Sequence, residues 1–514
     1  MKYVFFGGAG EVGGSCMLLS VAGRYLLFDC GIRVNRTGVE SLPDLELLKQ
    51  STPTLDAIFV SHAHADHVGA LPLAHAAYPQ APIYATLPTQ RLSSVMLNNA
   101  VNVMSSEGQE GQDTFFTAEA VDTTIGRIQT LEMGQWVDLW EGWRVLFIRS
   151  GHILGAVSIY LETPQGTFFY SGDVSTFHQK TIDGLADITG LPAPDFMVCE
   201  ATYGDGIHPS RSEEEIKLAK AVAEVIETGG NVLIPSFALG RAQEIILILR
   251  NAMVSKVIPV FPVVTDGLVN AICGVYDTLT PYLGTRLQKH LTNSQQPLFF
   301  YRNIRRARMG EQEAILKDAT PKCIIASSGM LTGGASVTYA KGLCSDPKNA
   351  IFLSGYQDAE SPGRRLQELQ SGDTLEFSDS TSAAVKCRVE RFHLSAHSDQ
   401  GQLVSVIKTI NPKALALVHG EKNALVALRE KLYSKYPVTC PLNGQVLSVT
   451  EAPEWVSPAA ITKLQKKKTL DVDVKMTDTC IEVDTDVTSE RWREFVKGGH
   501  TATLKGNRLI IRKV

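Results

Sequence analysis

Ser61-His62-Ala63-His64-Ala65-Asp66-His67 puts three histidines and one aspartate into a single short run, a density of imidazole and carboxylate donors that suits two metal ions. The run follows Ala57-Ile58-Phe59-Val60, an apolar stretch with the composition of a buried strand. It precedes Val68-Gly69-Ala70-Leu71, where a helix is expected to start. At the end of an extended strand, residues two apart point the same way, so His62 and His64 are expected to share one metal. The chain then turns, which directs Asp66 and His67 toward a second ion. The competing reading is a loop of exposed polar residues, and the packing of ligand types argues against it.

Two more donors sit where strands are expected to end. Gly151-His152-Ile153-Leu154-Gly155 follows the strand Trp143 to Ile148, and Ser171-Gly172-Asp173 closes the strand Thr167 to Tyr170. A carboxylate can bridge two metals with its two oxygens, which makes Asp173 the natural bridge. Asp29, at the end of the strand Tyr25 to Asp29, is expected to accept a hydrogen bond from a ligand histidine and so fix its tautomer.

Short strands at Lys2 to Phe6, Ser15 to Val21 and Val157 to Glu162 complete the strand-rich first part, and Pro88 to Glu132 reads as mostly helical. After Asp195 strands and helices alternate. Asn231 to Pro235, Val257 to Val264, Cys323 to Ser327 and Ala350 to Leu353 read as strands, with helices at Leu239 to Arg250 and Gly267 to Thr278. That alternation predicts a parallel sheet covered by helices. Val385 to Phe392, Ala414 to Val418 and Leu447 to Val449 are further strands. From about Glu454 the chain becomes a short, basic, β-prone tail, read as a small appended domain.

A chain of 514 residues exceeds what one core usually supports, so two or three domains are expected. Hydrophobic content of 44% and charged content of 20% argue against disorder. The net charge of -5 excludes a generally basic nucleic-acid binder. Attraction for a polyanion must therefore be local, from metals, helix N-termini and a few arginines. Nine scattered cysteines without a C-x-x-C pair point to a reduced, cytoplasmic protein. No signal peptide or membrane-spanning stretch is read in the sequence, so no membrane partner is expected.

Asp29, the His62 to His67 run, His152 and Asp173 resemble, in order and context, the motifs of the metallo-β-lactamase fold. Later segments narrow the resemblance to its β-CASP branch. Cys199-Glu200-Ala201-Thr202-Tyr203-Gly204 resembles that branch's acidic motif, Phe392-His393-Leu394-Ser395-Ala396-His397-Ser398-Asp399 its second motif, and Leu417-Val418-His419-Gly420-Glu421 its third. Pro235 to Glu244 and Ser327 to Gly334 also match. The chain is similar to the β-CASP ribonucleases, among them the endonuclease subunit of the cleavage and polyadenylation specificity factor and its prokaryotic homologues.

The resemblance implies an α/β fold: an αββα metallo-β-lactamase sandwich built from residues 1–200 and 366–453, with an α/β β-CASP domain, 201–365, inserted between them. Residues 454–514, outside the resemblance, are expected to form a small C-terminal domain of unknown role. It also implies two zinc ions. His62, His64 and His152 would bind the first and Asp66, His67 and His419 the second, with Asp173 bridging. Histidine at position 419 is the residue carried by RNA-processing members. The implied reaction is hydrolysis of phosphodiester bonds in single-stranded RNA, endonucleolytic, by a dizinc-activated hydroxide. Asp66, Glu200 and His397 would be catalytic, His397 acting as the general acid supported by Glu200, and the products would carry 5′-phosphates.

Ser236, Arg241, Ser328 and Gly329 are candidate substrate contacts, the first two because a strand there meets a helix N-terminus that could seat a phosphate. Arg302, Arg305, Arg306 and Arg308 read first as a solvated helix face, with an RNA contact as the alternative. His178, His208 and His290 have no partner that the sequence reveals. The expected assembly is a homodimer or a subunit of an RNA-processing complex. Other activities compatible with parts of the pattern are a 5′-exoribonuclease of the same family, a dizinc ester or thioester hydrolase, and a scaffold without catalysis.

Overall fold

The computed structural model describes residues 1–106, 114–294, 296–358, 360–377 and 381–449, together with 473–476, 481–484, 500–505 and 508–513. The chain divides into two units, Met1–Pro453 and Glu454–Val514. In the second unit, Asp473–Met476 pairs with Ile481–Asp484 and His500–Lys505 with Arg508–Lys513, both antiparallel. The rest of the expected small C-terminal domain lies outside the described residues.

Two seven-stranded sheets form the first unit's sandwich. One runs, in spatial order, Leu447–Ser448, Lys2–Gly7, Cys16–Val21, Arg24–Phe28, Ala57–Phe59, Ile83–Ala85 and Ile128–Thr130. It is antiparallel as far as Arg24–Phe28 and parallel beyond it. The other runs Val438–Thr439, Ala414–Val418, Phe196–Glu200, Gly166–Tyr170, Val157–Thr163, Trp143–Arg149 and Trp136–Trp140. Strands buried on both faces account for the near-continuous apolar runs. In Lys2–Gly7, Tyr3 and Phe5 enter the core between the sheets, while Val4 and Phe6 enter the core under the outer helices. Between the sheets, Phe28 stacks on Phe59 at 5.3 Å and meets Phe168 of the opposite sheet edge-on at 5.0 Å. With helices outside both sheets, this is the αββα sandwich.

A third sheet of six strands is parallel throughout: Ile304–Arg306, Val263–Asp266, Cys323–Ala326, Val232–Pro235, Ala350–Leu353 and Arg388–Arg391. Apolar clusters cover both of its faces. It is the inserted α/β domain. Its last strand, Arg388–Arg391, lies past Leu366, so the 366–453 segment first completes the inserted sheet and only then returns to the sandwich at Ala414–Val418.

Several local expectations are corrected. The strand expected over Val257 to Val264 starts only at Val263, and Val257 and Val260 are exposed; Pro259 and Pro262 remove donors that a ladder needs. The helical reading of Pro88 to Glu132 holds for Leu87–Ser106 and Ala118–Arg127, with 107–113 outside the described residues. It fails at Ile128–Thr130, which extends the first sheet beside Ile83–Ala85. The arginine cluster is an edge strand with its flanks instead of a helix face. Arg305 pairs with Glu311 at 2.9 Å and Arg306 with Asp277 at 3.8 Å, the kind of charged edge that discourages further strand pairing. No helix among the described residues is long and apolar enough to cross a membrane.

Candidate metal centre

The histidine run begins as expected where Ala57–Phe59 ends, and Ala65–Val68 turns it into a one-turn helix carrying Asp66 and His67. Gly31 makes that turn possible, because a Cβ there would sit 1.8 Å from the Asp66 carbonyl oxygen. The neighbouring backbone is tied down on both sides, with Ser15 N donating to Asp66 O (2.9 Å) and Cys30 N to His67 O (2.8 Å). His152, Asp173 and His419 follow the strands Trp143–Arg149, Gly166–Tyr170 and Ala414–Val418, and Glu200 ends Phe196–Glu200. One edge of the sandwich therefore presents all of them.

Three groups of donors come together there. His62, His64, His152 and Asp173 form one, Asp66, His67 and His419 a second, and Asp173, Glu200 and His419 a third, and within each the donor atoms lie within 4.8 Å of one another. Asp173 reaches from the first group toward the second, with Oδ2 3.4 Å from His62 Nε2 and Oδ1 3.5 Å from His67 Nε2. Asp29 is fully buried in the left-handed region at φ 57. Its carboxylate accepts from Ser61 N (2.7 Å), Ser61 Oγ (2.8 Å), His67 Nδ1 (2.8 Å) and Tyr170 OH (2.9 Å).

Hydrogen-bond partners assign the tautomers, and the tautomers test whether a metal fits. Carbonyls only accept, so His64 Nε2 donates to Leu239 O (3.2 Å) and His152 Nδ1 donates to Ala396 O (3.1 Å). In the neutral rings this leaves lone pairs on His64 Nδ1 and His152 Nε2, which face each other at 3.1 Å. Ser61 Oγ gives its proton to Asp29, so it accepts from His62 Nδ1 at 3.0 Å. A third lone pair, on His62 Nε2, then points at His64 Nδ1 from 3.2 Å. Three converging lone pairs beside a buried carboxylate whose Oδ1 has no hydrogen-bond partner among the described residues are the environment a cation completes. The residues fit zinc.

Charge follows burial and neighbours. Burial holds His62, His64 and His152 below the ordinary imidazole pKa, which keeps them neutral as ligands must be. Burial opposes ionisation of Asp66 and Asp173, but the surrounding histidines, His419 foremost, outweigh it and hold both below the usual carboxylate range.

His397 stands beside this centre, its Nδ1 3.0 Å from both carboxylate oxygens of buried Glu200 and its Nε2 4.0 Å from Asp173 Oδ2. Three contributors escaped the sequence reading. His208, with no visible partner in sequence, bonds through Nε2 to His397 O at 3.1 Å, and its ring lies 4.7 Å from that of Tyr203. Thr202 Oγ1 lies 3.1 Å from His419 Nδ1, and Ser61 joins Asp29 to His62. Only their proximity to motif residues in the chain could have drawn attention to them.

The donors open onto a cavity of about 290 Å³ between sandwich and insert, walled on the insert side by Phe237, Leu239, Arg241, Ser328, Met330 and Tyr356. Of the four candidate substrate contacts, Arg241 and Ser328 thus face the cleft. Ser236 is buried with its hydroxyl bonded to Ile234 O at 3.2 Å, and Gly329 packs against the Phe237 backbone, where a Cβ would lie 2.7 Å from Phe237 N. Neither is among the residues lining the cavity.

Comparison with known families fits this arrangement. Residues 18–198 match the metallo-beta-lactamase superfamily domain, 242–366 the Beta-Casp domain, and 382–441 the Zn-dependent metallo-hydrolase RNA specificity domain. An RNase J-like protein of Methanocaldococcus jannaschii is 31% identical over 87% of this chain and 99% of its own length. The chain is a β-CASP metallo-β-lactamase. Transcription termination factor FttA of Methanothermobacter thermautotrophicus and cleavage and polyadenylation specificity factor subunit 3-II of Arabidopsis thaliana are each 30% identical, over 86% of this chain and 71% of theirs. Membership of the β-CASP family makes the chain a metal-dependent hydrolase, built on a fold that uses zinc.

Proposed function

We propose that this β-CASP protein is a zinc-dependent ribonuclease that cuts single-stranded RNA internally. The observation carrying the reading is one buried carboxylate, Asp173, that belongs to one set of donors and reaches toward the other, its Oδ1 3.5 Å from His67 Nε2 and 3.6 Å from His419 Nδ1, with a Glu200-bound imidazole 4.0 Å away. His62, His64 and His152 would hold one zinc and Asp66, His67 and His419 the other, with Asp173 common to both. Bound there, the pair supplies a water nucleophile at neutral pH and offsets phosphate charge.

The chain's own side chains do the rest. Glu200 accepts from His397 Nδ1, which leaves the Nε2 proton directed at the centre. As water adds to phosphorus and the P–O3′ bond breaks, that proton passes to the leaving oxygen, giving a 3′-hydroxyl and a 5′-phosphate. Asp29 fixes the His67 ring, and Thr202 fixes that of His419. Arg241 and Ser328, on the insert wall, are the substrate contacts favoured by position, and Ser236 and Gly329 shape the backbone beneath them. A narrow cleft with an apolar wall suits a flexible single strand, whose bases can stack where a duplex would not enter. Two sources support RNA as the substrate: the RNA specificity match over 382–441 and the name of the RNase J-like relative. The subunit name of the Arabidopsis relative supports work within a complex.

Cleavage of end-labelled single-stranded RNA, duplex RNA and single-stranded DNA, mapped at nucleotide resolution, tests the reading. Internal cuts in single-stranded RNA that persist when the 5′ end is blocked are expected. Mononucleotide release that requires a free 5′-monophosphate would make it an exonuclease. Hydrolysis of a thioester with no RNA cleavage would overturn it.

A further inference from the structure

Arg241 is only 5% exposed, yet its Nη1 has no hydrogen-bond partner among the described residues. A buried cation in that position is costly until an anion completes it. The nearby acids are already engaged. Glu244 accepts from Lys180 N (2.7 Å), Thr181 N (2.7 Å) and Thr181 Oγ1 (2.6 Å), while Glu215 is held by Arg211 Nε at 3.1 Å and Lys180 Nζ at 2.6 Å. Arg211, whose Nη1 also donates to Ser395 O at 2.8 Å, adds a second positive charge close by.

Arg241 also opens the 14-residue helix Arg241–Val254, whose N-terminal end carries partial positive charge. This helix start lines the cleft together with Ser395, Ala396 and His397. Arg211, which acts on this guanidinium, bonds Ser395 two residues before His397, and Tyr203, which also acts on it, has its ring 6.2 Å from that of His397, so the guanidinium lies on the general-acid side of the cleft. That acid protonates the O3′ of the departing upstream fragment, so the wall around it faces the nucleotides 5′ of the cut.

We propose that Arg241, with the N-terminus of its helix, seats the backbone phosphate next upstream of the scissile one; this rests on the reading of the cleft as a ribonuclease site. The subsite recognises a phosphodiester and no base, which gives register on the strand without sequence preference.

A cycle combining Arg241→Met with a neutral methylphosphonate linkage, carried on a 2′-deoxy nucleotide, tests it. The variant should keep its zinc and show an unchanged or higher Tm, because an unpaired buried charge has been replaced by an apolar chain of similar length. It should cut oligomeric RNA about ten- to a hundredfold more slowly, as expected for loss of a charge-assisted contact. The methylphosphonate placed one linkage upstream should slow the wild type by a similar factor and the variant not at all. Placed one linkage downstream, it should affect both proteins equally. A dinucleotide, which has no upstream phosphate, should be cut equally by both. Equal upstream penalties in the two proteins, or a fall in Tm with lost zinc, would make Arg241 a structural residue and overturn the subsite. If the wild type cut no RNA, the ribonuclease reading would fail, and the subsite with it.

Discussion

At His397 burial works against the proton and Glu200 works for it. Glu200, followed by Asp173, outweighs desolvation and lifts the pKa to about 9. As the proposed general acid, His397 would act only while protonated, so kcat/KM should fall from a neutral plateau as pH rises toward that value. Zinc bound in the adjacent group would repel the imidazolium and move this limb down from 9; Glu200→Gln removes the counter-charge and should move it further in the same direction. His397→Ala should lose the limb altogether and about a hundredfold or more of the rate, with zinc content intact. A pH–rate profile with elemental analysis of the three proteins checks this, and full activity in either variant would assign the proton to another group. Asp173→Ala should behave differently. By removing a carboxylate of the first donor group that also lies 3.5 Å from His67 and 3.6 Å from His419 of the second, it should lose metal and cleavage together.

Among the elements, Gly31 shows how the sequence encodes the site and also how it hides it. Nothing in the local composition marks Gly31 as special, yet a methyl group there would overlap the Asp66 backbone, which hydrogen bonds hold in place. Gly31→Ala should therefore cost about 3 kcal/mol or prevent folding and reduce zinc content in the protein that remains, measured by denaturant unfolding and metal analysis. The donors themselves were legible because histidine and aspartate packed this densely at strand ends rarely serve anything but a metal. The strands before them were legible because burial on both faces leaves continuous apolar runs. What failed depended on contacts distant in sequence. Ile128–Thr130 looks helical until Ile83–Ala85 supplies a partner. Arg388–Arg391 looks like part of the returning sandwich until Ala350–Leu353 claims it. His208 looks idle until the fold brings it to His397.

For the molecule as a whole, the donor cluster joins sandwich and insert, since the ligand candidate His64 donates to Leu239 of the inserted domain, and it ties in the return segment, where His152 donates to Ala396 beside His397. Without a cation, three lone pairs meet within about 3 Å, and the apoprotein must protonate or separate them. Zinc should therefore stabilise the fold by mass action, and by an amount that counts the ions. One ion at a thousandfold excess over its Kd contributes ~4 kcal/mol, and two contribute ~8 kcal/mol. With an unfolding entropy of about 2.1 cal/mol/K per residue, a unit of roughly 450 residues should gain about 4 °C in Tm from one ion and about 9 °C from two. Calorimetry of chelated protein titrated with zinc should then show two increments, both reversed by chelator. Hydrogen exchange should slow on zinc addition around Leu239 and Ala396, while the strands of the inner core, such as Arg24–Phe28, stay as protected as before. A single increment would mean that only one donor group holds metal, and an unchanged Tm would mean that the cluster is stable without it.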